Sequence, residues 1–204
     1  MSPAAEATGK RERTKAVNRG AILEAAREVF GEMGYGAASV RDIVRRTELA
    51  TGTFYNYYPD KESIFRALVE DTGEEARRRV RAARQRAGTG RAFVEDAYRA
   101  YFAFIVEDPG TFAFMARNSG TIRALFEEGT MPMAGGELIE DLSAAIERGQ
   151  LPPVDVEYTA HAMVAIGVEL GARMIERDPP DVEGATRFAT ELFLGGLERL
   201  SLHS

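Results

Sequence analysis

Apolar residues recur at three- and four-residue intervals along almost the whole chain of 204 residues. No segment sustains the strict alternation of apolar and polar residues that predicts a half-buried strand. Glycine and proline interrupt the pattern at intervals, as at Gly34, Pro59, Gly88, Gly90 and Pro109. The sequence therefore predicts an all-α fold in which many helices are joined by short turns.

Composition limits the kinds of site that the chain can hold. It contains no Cys, which excludes disulfides, thiolate metal ligands and a Cys nucleophile. No apolar run approaches the ~18 residues that a membrane-spanning helix requires. The N-terminus also lacks the apolar segment of a signal peptide. We therefore expect a cytoplasmic protein without a membrane partner.

Charge is unevenly distributed along the chain. The formal net charge is −6, but residues 1–57 carry nine Lys and Arg against seven Asp and Glu. The remaining residues carry 17 basic and 25 acidic side chains. A basic N-terminal third on an acidic body is compatible with a small domain that binds an anionic partner such as nucleic acid.

The stretch Val40–Phe65 carries the most specific pattern. It contains two short helical segments separated by a tight turn at Thr47–Ala50, and the second helix is expected from about Ala50 or Thr51 to Tyr57. That second segment is rich in Thr, Tyr and Asn and has too few aliphatic residues to be buried on all sides. This arrangement is typical of a helix-turn-helix, in which the second helix enters the DNA major groove.

Short polar side chains at the front of such a helix can bond to base edges, and donors at its rim can bond to phosphates. Phe54 and Tyr58 are expected in the core instead, and core packing is the alternative for Tyr55 and Tyr57 as well. The candidate DNA-binding residues are Ser39, Arg41, Thr51, Gly52, Thr53, Tyr55, Asn56, Tyr57 and Lys61.

The flanking pattern suggests how the chain is divided. A first helix is expected over about Val17–Met33, ended by Gly34 and Gly36, and Ser39 is a candidate N-cap for the second. A long fourth helix is expected from about Asp60 to Arg86. We predict a disordered arm over 1–15, a DNA-binding domain over 16–76, and a helical ligand-binding and dimerisation domain over 77–204.

The predicted body is rich in Phe and Met, which are adaptable liners for an apolar or amphipathic guest. For each of these residues, simple core packing is as good an explanation. The candidate ligand-binding residues are Phe102, Ile105, Phe112, Met115, Phe126 and Met163, with Met131 and Met133 nearby and Arg117, Asn118, Tyr158 and Glu169 as polar anchors.

The last two expected helices, over about 156–177 and 182–200, contain many small residues, among them Gly167, Gly171 and Gly196. Small side chains let helix axes approach closely. Two such helices from each subunit would form a four-helix bundle, so we predict a homodimer through residues 156–200. An ordinary hairpin within one chain is the alternative.

The sequence gives little support for a metal-binding site or a catalytic site. Glu157 and His161 have the spacing of metal ligands on a helix, but the only other histidine is His203. No pairing of a Ser or Cys nucleophile with a His base is evident. We expect no metal, no cofactor and no catalysis. The rival to a DNA-binding regulator is a helical ligand-binding or adaptor protein whose head does not read DNA.

The N-terminal pattern resembles the TetR family of bacterial transcriptional regulators over about residues 17–70. The matching residues are Ile22, Ala25, Ala26, Phe30, Gly34, Ser39, Asp42, Ile43, Gly52, Thr53, Tyr55, Tyr58, Lys61 and Glu62. The resemblance implies a three-helix DNA-binding head, a helical ligand-binding body and a homodimer. It also implies a repressor that binds an inverted-repeat operator and is released by a small molecule.

The turn departs from the family's usual Ala-Gly-Val-Ser. This chain has Thr47, Glu48, Leu49 and Ala50 there. If Glu48 replaced the glycine in a left-handed conformation, it would cost roughly 1 kcal/mol. Ala50 lacks the hydroxyl of the usual serine cap, a loss of about 1 kcal/mol unless Thr51 or a shifted helix start replaces it.

Overall fold

The computed structural model describes residues 3–127 and 135–201, and the side chains of residues 11–108, 110–125 and 136–200. Every regular element in these ranges is an α-helix, which confirms the all-α prediction. In chain order the helices are α1 (Pro3–Ala37), α2 (Val40–Arg45), α3 (Thr51–Tyr55), α4 (Lys61–Arg86), α5 (Gly90–Glu107), α6 (Pro109–Arg117), α7 (Ser119–Glu127), α8 (Gly135–Glu147), α9 (Val156–Met174) and α10 (Val182–Ser201).

The helices group into two compact units. Unit 1 comprises residues 1–71 and 110–124, and unit 2 comprises residues 72–109 and 125–204. The sequence placed the boundary at 76 and assigned all later residues to the body. The structure instead ends the N-terminal part of unit 1 at Asp71 and adds the segment 110–124 to it.

Helix α1 is longer than the sequence indicated. It begins at Pro3, so residues 3–15, expected as a disordered arm, are helical. Lys, Arg, Glu and Ala have high helix propensity, and the segment continues directly into a helix that packing stabilises. Gly34 interrupts α1 with φ 79° and ψ 160°, as expected of a helix-ending glycine. Gly36 does not share this role, because the helix continues to Ala37.

Aromatic rings form the centre of unit 1. Phe30 of α1, Phe65 of α4 and Phe114 of α6 are almost fully buried. The ring centroids of Phe30 and Phe65 lie 5.2 Å apart, and those of Phe65 and Phe114 lie 5.5 Å apart, both edge to face. Such pairs add to the apolar burial that holds helices together. Phe114 thus supplies part of this core from a distant stretch of sequence.

In unit 2, α5 packs against α9 and α10. Tyr98 and Phe102 of α5, Met163 of α9 and Phe193 of α10 belong to one buried cluster. The hydroxyl of Tyr98 donates to the backbone oxygen of Met163 at 3.3 Å, and burial raises the pKa of Tyr98. Because α5 is surrounded, its apolar residues cover more than one face, as the sequence indicated.

Helix α4 is tied to α8 within unit 2 by a buried ion pair. The Arg84 guanidinium donates from Nε and Nη2 to one Asp141 oxygen, at 3.0 and 2.8 Å. Desolvation lowers the pKa of Arg84, and the bonds to Asp141 oppose that shift. Two buried charges that satisfy each other fix the register of the two helices, whereas either charge alone would be costly.

No helix within the described ranges is long and apolar enough to cross a membrane.

Candidate nucleic-acid interface

Helix α2 starts with a complete capping box. The backbone N–H of Asp42 donates to the Ser39 hydroxyl at 3.3 Å, and the Ser39 N–H donates to the Asp42 carboxylate at 3.0 Å. Ser39 also donates its hydroxyl proton to Asp42, and these bonds lower the pKa of the carboxyl. The predicted N-cap is therefore confirmed. Because the N–H and the hydroxyl proton of Ser39 are both used inside the protein, a DNA contact by Ser39 would need a lone pair of its hydroxyl oxygen.

The turn between α2 and α3 is closed by a threonine side chain. Thr47 donates its hydroxyl to the backbone oxygen of Val44 at 2.9 Å and accepts from the Leu49 N–H at 3.2 Å. Among the described residues, no residue other than glycine has a positive φ. The expected strain at Glu48 is therefore wrong. Thr47 satisfies the backbone groups of the turn, so Glu48 need not take the geometry that a glycine would favour.

Helix α3 begins at Thr51, in agreement with one of the two predicted starts. Its N-cap is Ala50, which makes no side-chain cap bond, so the expected absence of a serine cap is confirmed. Regular helix ends at Tyr55, but the N–H of Tyr58 still donates to the Phe54 oxygen at 3.0 Å. Phe54 and Tyr58 are buried, as predicted, and anchor this short helix in the core of unit 1.

The opposite surface of the helix faces outward. Thr51, Gly52, Tyr55 and Asn56 are exposed, and Tyr55 has 53% of its surface free. A methyl group built on Gly52 would meet no atom within 4 Å, so packing inside the protein does not require glycine there. The outer surface therefore offers hydroxyls, an amide and bare backbone, which suits close approach to a groove lined by base edges.

Thr53 and Tyr57 are half-buried on the flank of the same segment. Together with Asn56 they form one side of a surface cleft whose other side is α1. The cleft has a volume of about 650 Å³. Sequence reasoning identified these three side chains but not the cleft, because it expected a disordered arm in place of the first turns of α1.

Lys61 occupies an unexpected position. Its ammonium donates to the backbone oxygens of Tyr35 and Ala38, at 2.7 and 2.9 Å, and lies 4.4 Å from the centroid of the Tyr35 ring. Lys61 therefore caps carbonyls at the end of α1, where a helix leaves acceptors unsatisfied. One of its three donors is left, so a phosphate contact from Lys61 stays a prediction.

Exposed arginines surround the turn. Arg41 and Arg45 lie at the surface of α2, and in the described part of the chain neither forms an ion pair. Arg46 differs, because it binds Glu28 and Glu32 of α1. These bonds raise the pKa of Arg46 and lower that of Glu32. The free charge beside α3 is therefore carried by Arg41, as predicted, and by Arg45, which the sequence did not single out.

Comparison with known proteins agrees with this geometry. Residues 22–68 match the family model of "Bacterial regulatory proteins, tetR family", which spans α1 from its buried part through α2 and α3 into α4. Residues 22–68 therefore form a DNA-binding domain of the TetR family. The chain is a DNA-binding transcriptional regulator, and the helix-turn-helix just described is its DNA-binding element.

Solved structures share the TetR-family fold. The fatty acid degradation regulator FadR from Bacillus halodurans is 20% identical, has a TM-score of 0.74, and the match covers 88% of this chain and 95% of that one. FadR from Bacillus subtilis, solved with stearoyl-CoA, is 20% identical with a TM-score of 0.71, and coverage is 86% and 97%. A TetR-like regulator from Rhodococcus sp. RHA1 is 20% identical with a TM-score of 0.67, and coverage is 90% and 97%.

The predicted ligand residues of this chain fall into two groups. Phe102, Ile105, Met163 and Glu169 lie in unit 2, whereas Phe112, Met115, Arg117 and Asn118 lie in unit 1. Phe126, Met131 and Met133 lie outside the described side chains. The sequence treated all of them as one pocket, because it could not show that segment 110–124 joins the DNA-binding unit.

Asn118 is a structural residue rather than an exposed anchor. It has only 2% of its surface free. Its amide nitrogen donates to the backbone oxygens of Phe30 and Phe114, at 2.9 and 2.7 Å, and its oxygen accepts from the N–H of Tyr35 at 2.6 Å. Ligand contact by Asn118 would have to replace these bonds and stays a prediction. One donor and the amide oxygen join the α6–α7 corner to α1, and the second donor bonds to Phe114 of α6.

The remaining unit 1 candidates have mixed surroundings. Phe112 and Met115 are half-buried, and Arg117 is exposed. A methyl built on Gly34 would lie 3.5 Å from the Cγ of Arg117, so the stem of this arginine covers the interruption in α1. These positions suit packing within unit 1, and ligand contact by them stays a prediction.

In unit 2, Phe102 and Met163 are buried in the core cluster and Ile105 is half-buried against it, and ligand contact by them stays a prediction. Glu169 does not point to this core. It is exposed on α9 and pairs with Arg173 at 3.2 Å. Its helix position turns it toward solvent, and its role as a polar anchor stays a prediction. His161 is exposed too, with its ring nitrogen 2.7 Å from the backbone oxygen of Glu157.

The outer faces of α9 and α10 are apolar. On α9, Tyr158 and Val168 have 79% and 52% of their surface free. On α10, Phe188 and Leu192 have 59% and 54% of their surface free. A methyl group built on the nearby Gly195 would have no atom of the chain within 4 Å. Large apolar side chains that repeat on one helix face and remain in water mark an interaction surface.

Proposed function

We propose that this TetR-family regulator represses transcription in the cytoplasm by binding an inverted-repeat operator as a homodimer, and that a small apolar or amphipathic effector releases it. The observation that carries the proposal is the exposed outer surface of α3, where Thr51, Gly52, Tyr55 and Asn56 face away from the anchors Phe54 and Tyr58.

The side chains on this surface divide by chemistry. Thr51 and Asn56 are short enough to bond base edges in the major groove, and Asn pairs with two atoms of adenine in the best-known arrangement. The hydroxyl of Tyr55 reaches further and suits a phosphate at the rim. Arg41 adds a charge at the start of α2, where the DNA backbone crosses the motif.

Dimerisation follows from the exposed faces of α9 and α10. A single head presents a small surface, so useful affinity for one site needs two heads on one duplex. Pairing α9 and α10 with the same helices of a second copy would cover the exposed Tyr158, Val168, Phe188 and Leu192 in a four-helix bundle. Half-sites should then lie about 34–36 Å apart or a multiple of that distance.

Release requires that the effector bind the form that cannot bind DNA more tightly than the form that can. Phe102, Ile105 and Met163 supply an apolar lining in unit 2. Helix α4 contributes residues to both units and is our candidate for the element that carries the change. An acyl-CoA is the first effector to test, because the Bacillus subtilis FadR structure contains stearoyl-CoA.

The DNA-binding role is tested by footprinting the full chain on the DNA upstream of its own gene. We expect a protected inverted repeat whose affinity falls on Tyr55→Phe and Asn56→Ala while the circular dichroism stays unchanged. A scrambled duplex of equal length is the control. A folded dimer that protects no sequence over the scrambled duplex would favour an adaptor role and overturn the proposal.

The dimer is tested by sedimentation at micromolar concentration. Leu192→Glu places a charge on the exposed face of α10 and should produce folded monomers. Glu183→Lys, at the start of the same helix, changes charge outside the apolar face and should leave the dimer intact. A wild-type monomer, or a Leu192→Glu dimer of unchanged affinity, would contradict the proposed interface.

Effector coupling is tested by titrating stearoyl-CoA with and without operator DNA. By thermodynamic reciprocity, DNA must weaken effector binding by the factor by which effector weakens DNA binding. Equal effector affinities in the two titrations would exclude coupling for this compound. A matched series of shorter acyl-CoAs then shows whether chain length or the CoA moiety determines binding.

A further inference from the structure

The first turns of α1 present one basic and polar face to the DNA-reading helix. Arg11, Thr14, Lys15 and Asn18 recur at three- and four-residue intervals, so they share one side of the helix. All four line the cleft of about 650 Å³ whose other side consists of Thr53, Asn56 and Tyr57. A face that the sequence assigned to a disordered arm is therefore held beside the predicted base-reading residues.

The positive charge on this face is not neutralised within the protein. Arg11 and Lys15 are both exposed. Throughout the side chains that the structure describes, neither one forms an ion pair with a carboxylate, in contrast to Arg46 and Arg66 of the same unit. Placing two unpaired cations on one side of a cleft costs free energy by mutual repulsion, and an anion between them would remove that cost.

The residues opposite α1 in the cleft indicate which anion it would bind. Thr53 belongs to α3, Asn56 and Tyr57 directly follow it, and DNA bound by this helix carries phosphates at the groove's rim. Tyr57 can donate a hydroxyl, and Asn18 and Asn56 can donate amide protons, to oxygens placed in the cleft. Donors and charges from two helices thus surround a space that adjoins the base-reading surface.

We propose that the cleft between α1 and α3 binds the DNA backbone, and that Arg11 and Lys15 each neutralise a phosphate at the edge of every half-site. This inference rests on the proposed function, since it extends the contact of the same head. It adds a charged contact region formed by the N-terminal turns of α1, which fixes the head's position on the duplex without reading sequence.

The test compares Arg11→Ala and Lys15→Ala with Arg13→Ala. Arg13 is also exposed but lies two residues from Arg11, about 200° around the helix, and so faces away from the cleft. All three variants lose one positive charge from the same stretch. The equilibrium constant is measured from low to moderate salt on the footprinted operator and on a duplex of unrelated sequence.

We expect Arg11→Ala and Lys15→Ala each to weaken binding to both duplexes, by roughly threefold to tenfold per dimer at ~0.1 M salt. The slope of log K against log salt should become shallower by about 0.9 per lost contact, or about 2 per dimer. Ethylation interference should lose the same phosphate positions in both variants. Arg13→Ala should keep the wild-type slope and interference pattern.

The outcomes separate the two proposals. If the wild type prefers its operator but the cleft variants keep its slope and its interference pattern, the cleft contact is wrong and the repressor assignment stands. If all three variants lose affinity alike, the effect is one of general charge and the inference also fails. If the wild type shows no operator preference, the proposed function fails, while slopes on the unrelated duplex still decide whether the cleft binds phosphates.

Discussion

Replacing Lys61 distinguishes a structural role from a DNA-contacting one. The substitution Lys61→Met keeps most of the apolar stem but removes the ammonium group. The two backbone oxygens at the end of α1, those of Tyr35 and Ala38, then lose donors that lie 2.7 and 2.9 Å away. The contact with the Tyr35 ring, at 4.4 Å, is lost as well.

The expected cost follows from these contacts. A hydrogen bond from a charged donor contributes about 1.5–3 kcal/mol, but Lys61 is half-buried and water can partly replace it, so about 1 kcal/mol for each is reasonable. A cation–π contact at such a site adds about 0.5 kcal/mol. The free energy of unfolding should therefore fall by about 2.5 kcal/mol, which lowers the urea midpoint by about 1.2 M for a slope of about 2 kcal/mol per molar.

The assay is urea unfolding followed by circular dichroism, with Lys15→Met as the control. Lys15 is exposed and, in the part of the chain that the structure describes, has no ion pair, so its substitution should change stability by less than about 0.5 kcal/mol. Lys61→Gln keeps amide donors without charge and should lie between Lys61→Met and the wild type. An unchanged midpoint for Lys61→Met would refute the capping role.

Three further predictions concern packing. Asp141→Ala should lower the free energy of unfolding by about 3–5 kcal/mol, because it leaves Arg84 charged and unpaired in a buried site. Replacing both residues by apolar ones should lower it less. Urea unfolding midpoints measure both effects. Asn118→Ala should cost about 2–4 kcal/mol in the same assay, since buried backbone groups lose their partner. Gly167→Ala should raise the melting temperature, because a methyl there meets the Tyr98 ring at an ordinary 3.5 Å and alanine favours helix by about 1 kcal/mol.

Local rules predicted much of the head. Ser39 before α2, Asp60 before α4 and Gly34 in α1 act as caps or interruptions that depend on a few neighbouring residues. Such signals are contained in short stretches of sequence, so sequence is enough to find them. The turn is closed by hydrogen bonds of the Thr47 hydroxyl and not by a glycine with positive φ, as in the family's usual sequence. From the sequence alone, the stability of these two kinds of turn could not be compared.

Contacts between distant segments escaped prediction. Asn118 bonds to Phe30 and Tyr35, which lie more than 80 positions earlier in the chain. Lys61 caps a helix that ends more than 20 positions before it. In sequence, each is a polar residue in an amphipathic pattern, which is equally compatible with a ligand or DNA contact. Within unit 1, the packing of Phe114 against Phe30 and Phe65 helps to hold the α6–α7 corner beside α1.

The small residues of α9 and α10 show how composition can mislead about an interface. A methyl group built on Gly171 would lie 2.8 Å from the Cδ1 of Ile105, so this glycine lets α9 approach α5 within one chain, whereas a methyl on Gly167 would meet the Tyr98 ring at an ordinary 3.5 Å. Gly196 of α10 is exposed, and a methyl there would meet nothing within 4 Å. Contact with α5 of the same chain thus accounts for Gly171, which the sequence had assigned to the subunit interface.

This difference decides which substitution can test the dimer. A bulky residue at Gly171 would collide with Ile105 and destabilise unit 2, so loss of dimer in that variant would say nothing about the interface. Gly196→Leu leaves the chain's own packing untouched and should act only if a second copy lies against α10. We expect Gly196→Leu to leave the unfolding midpoint of the dissociated chain at or above the wild-type value, because leucine favours helix over glycine, while weakening self-association in sedimentation. A variant that dimerises as tightly as the wild type would place the interface elsewhere than the exposed face of α10.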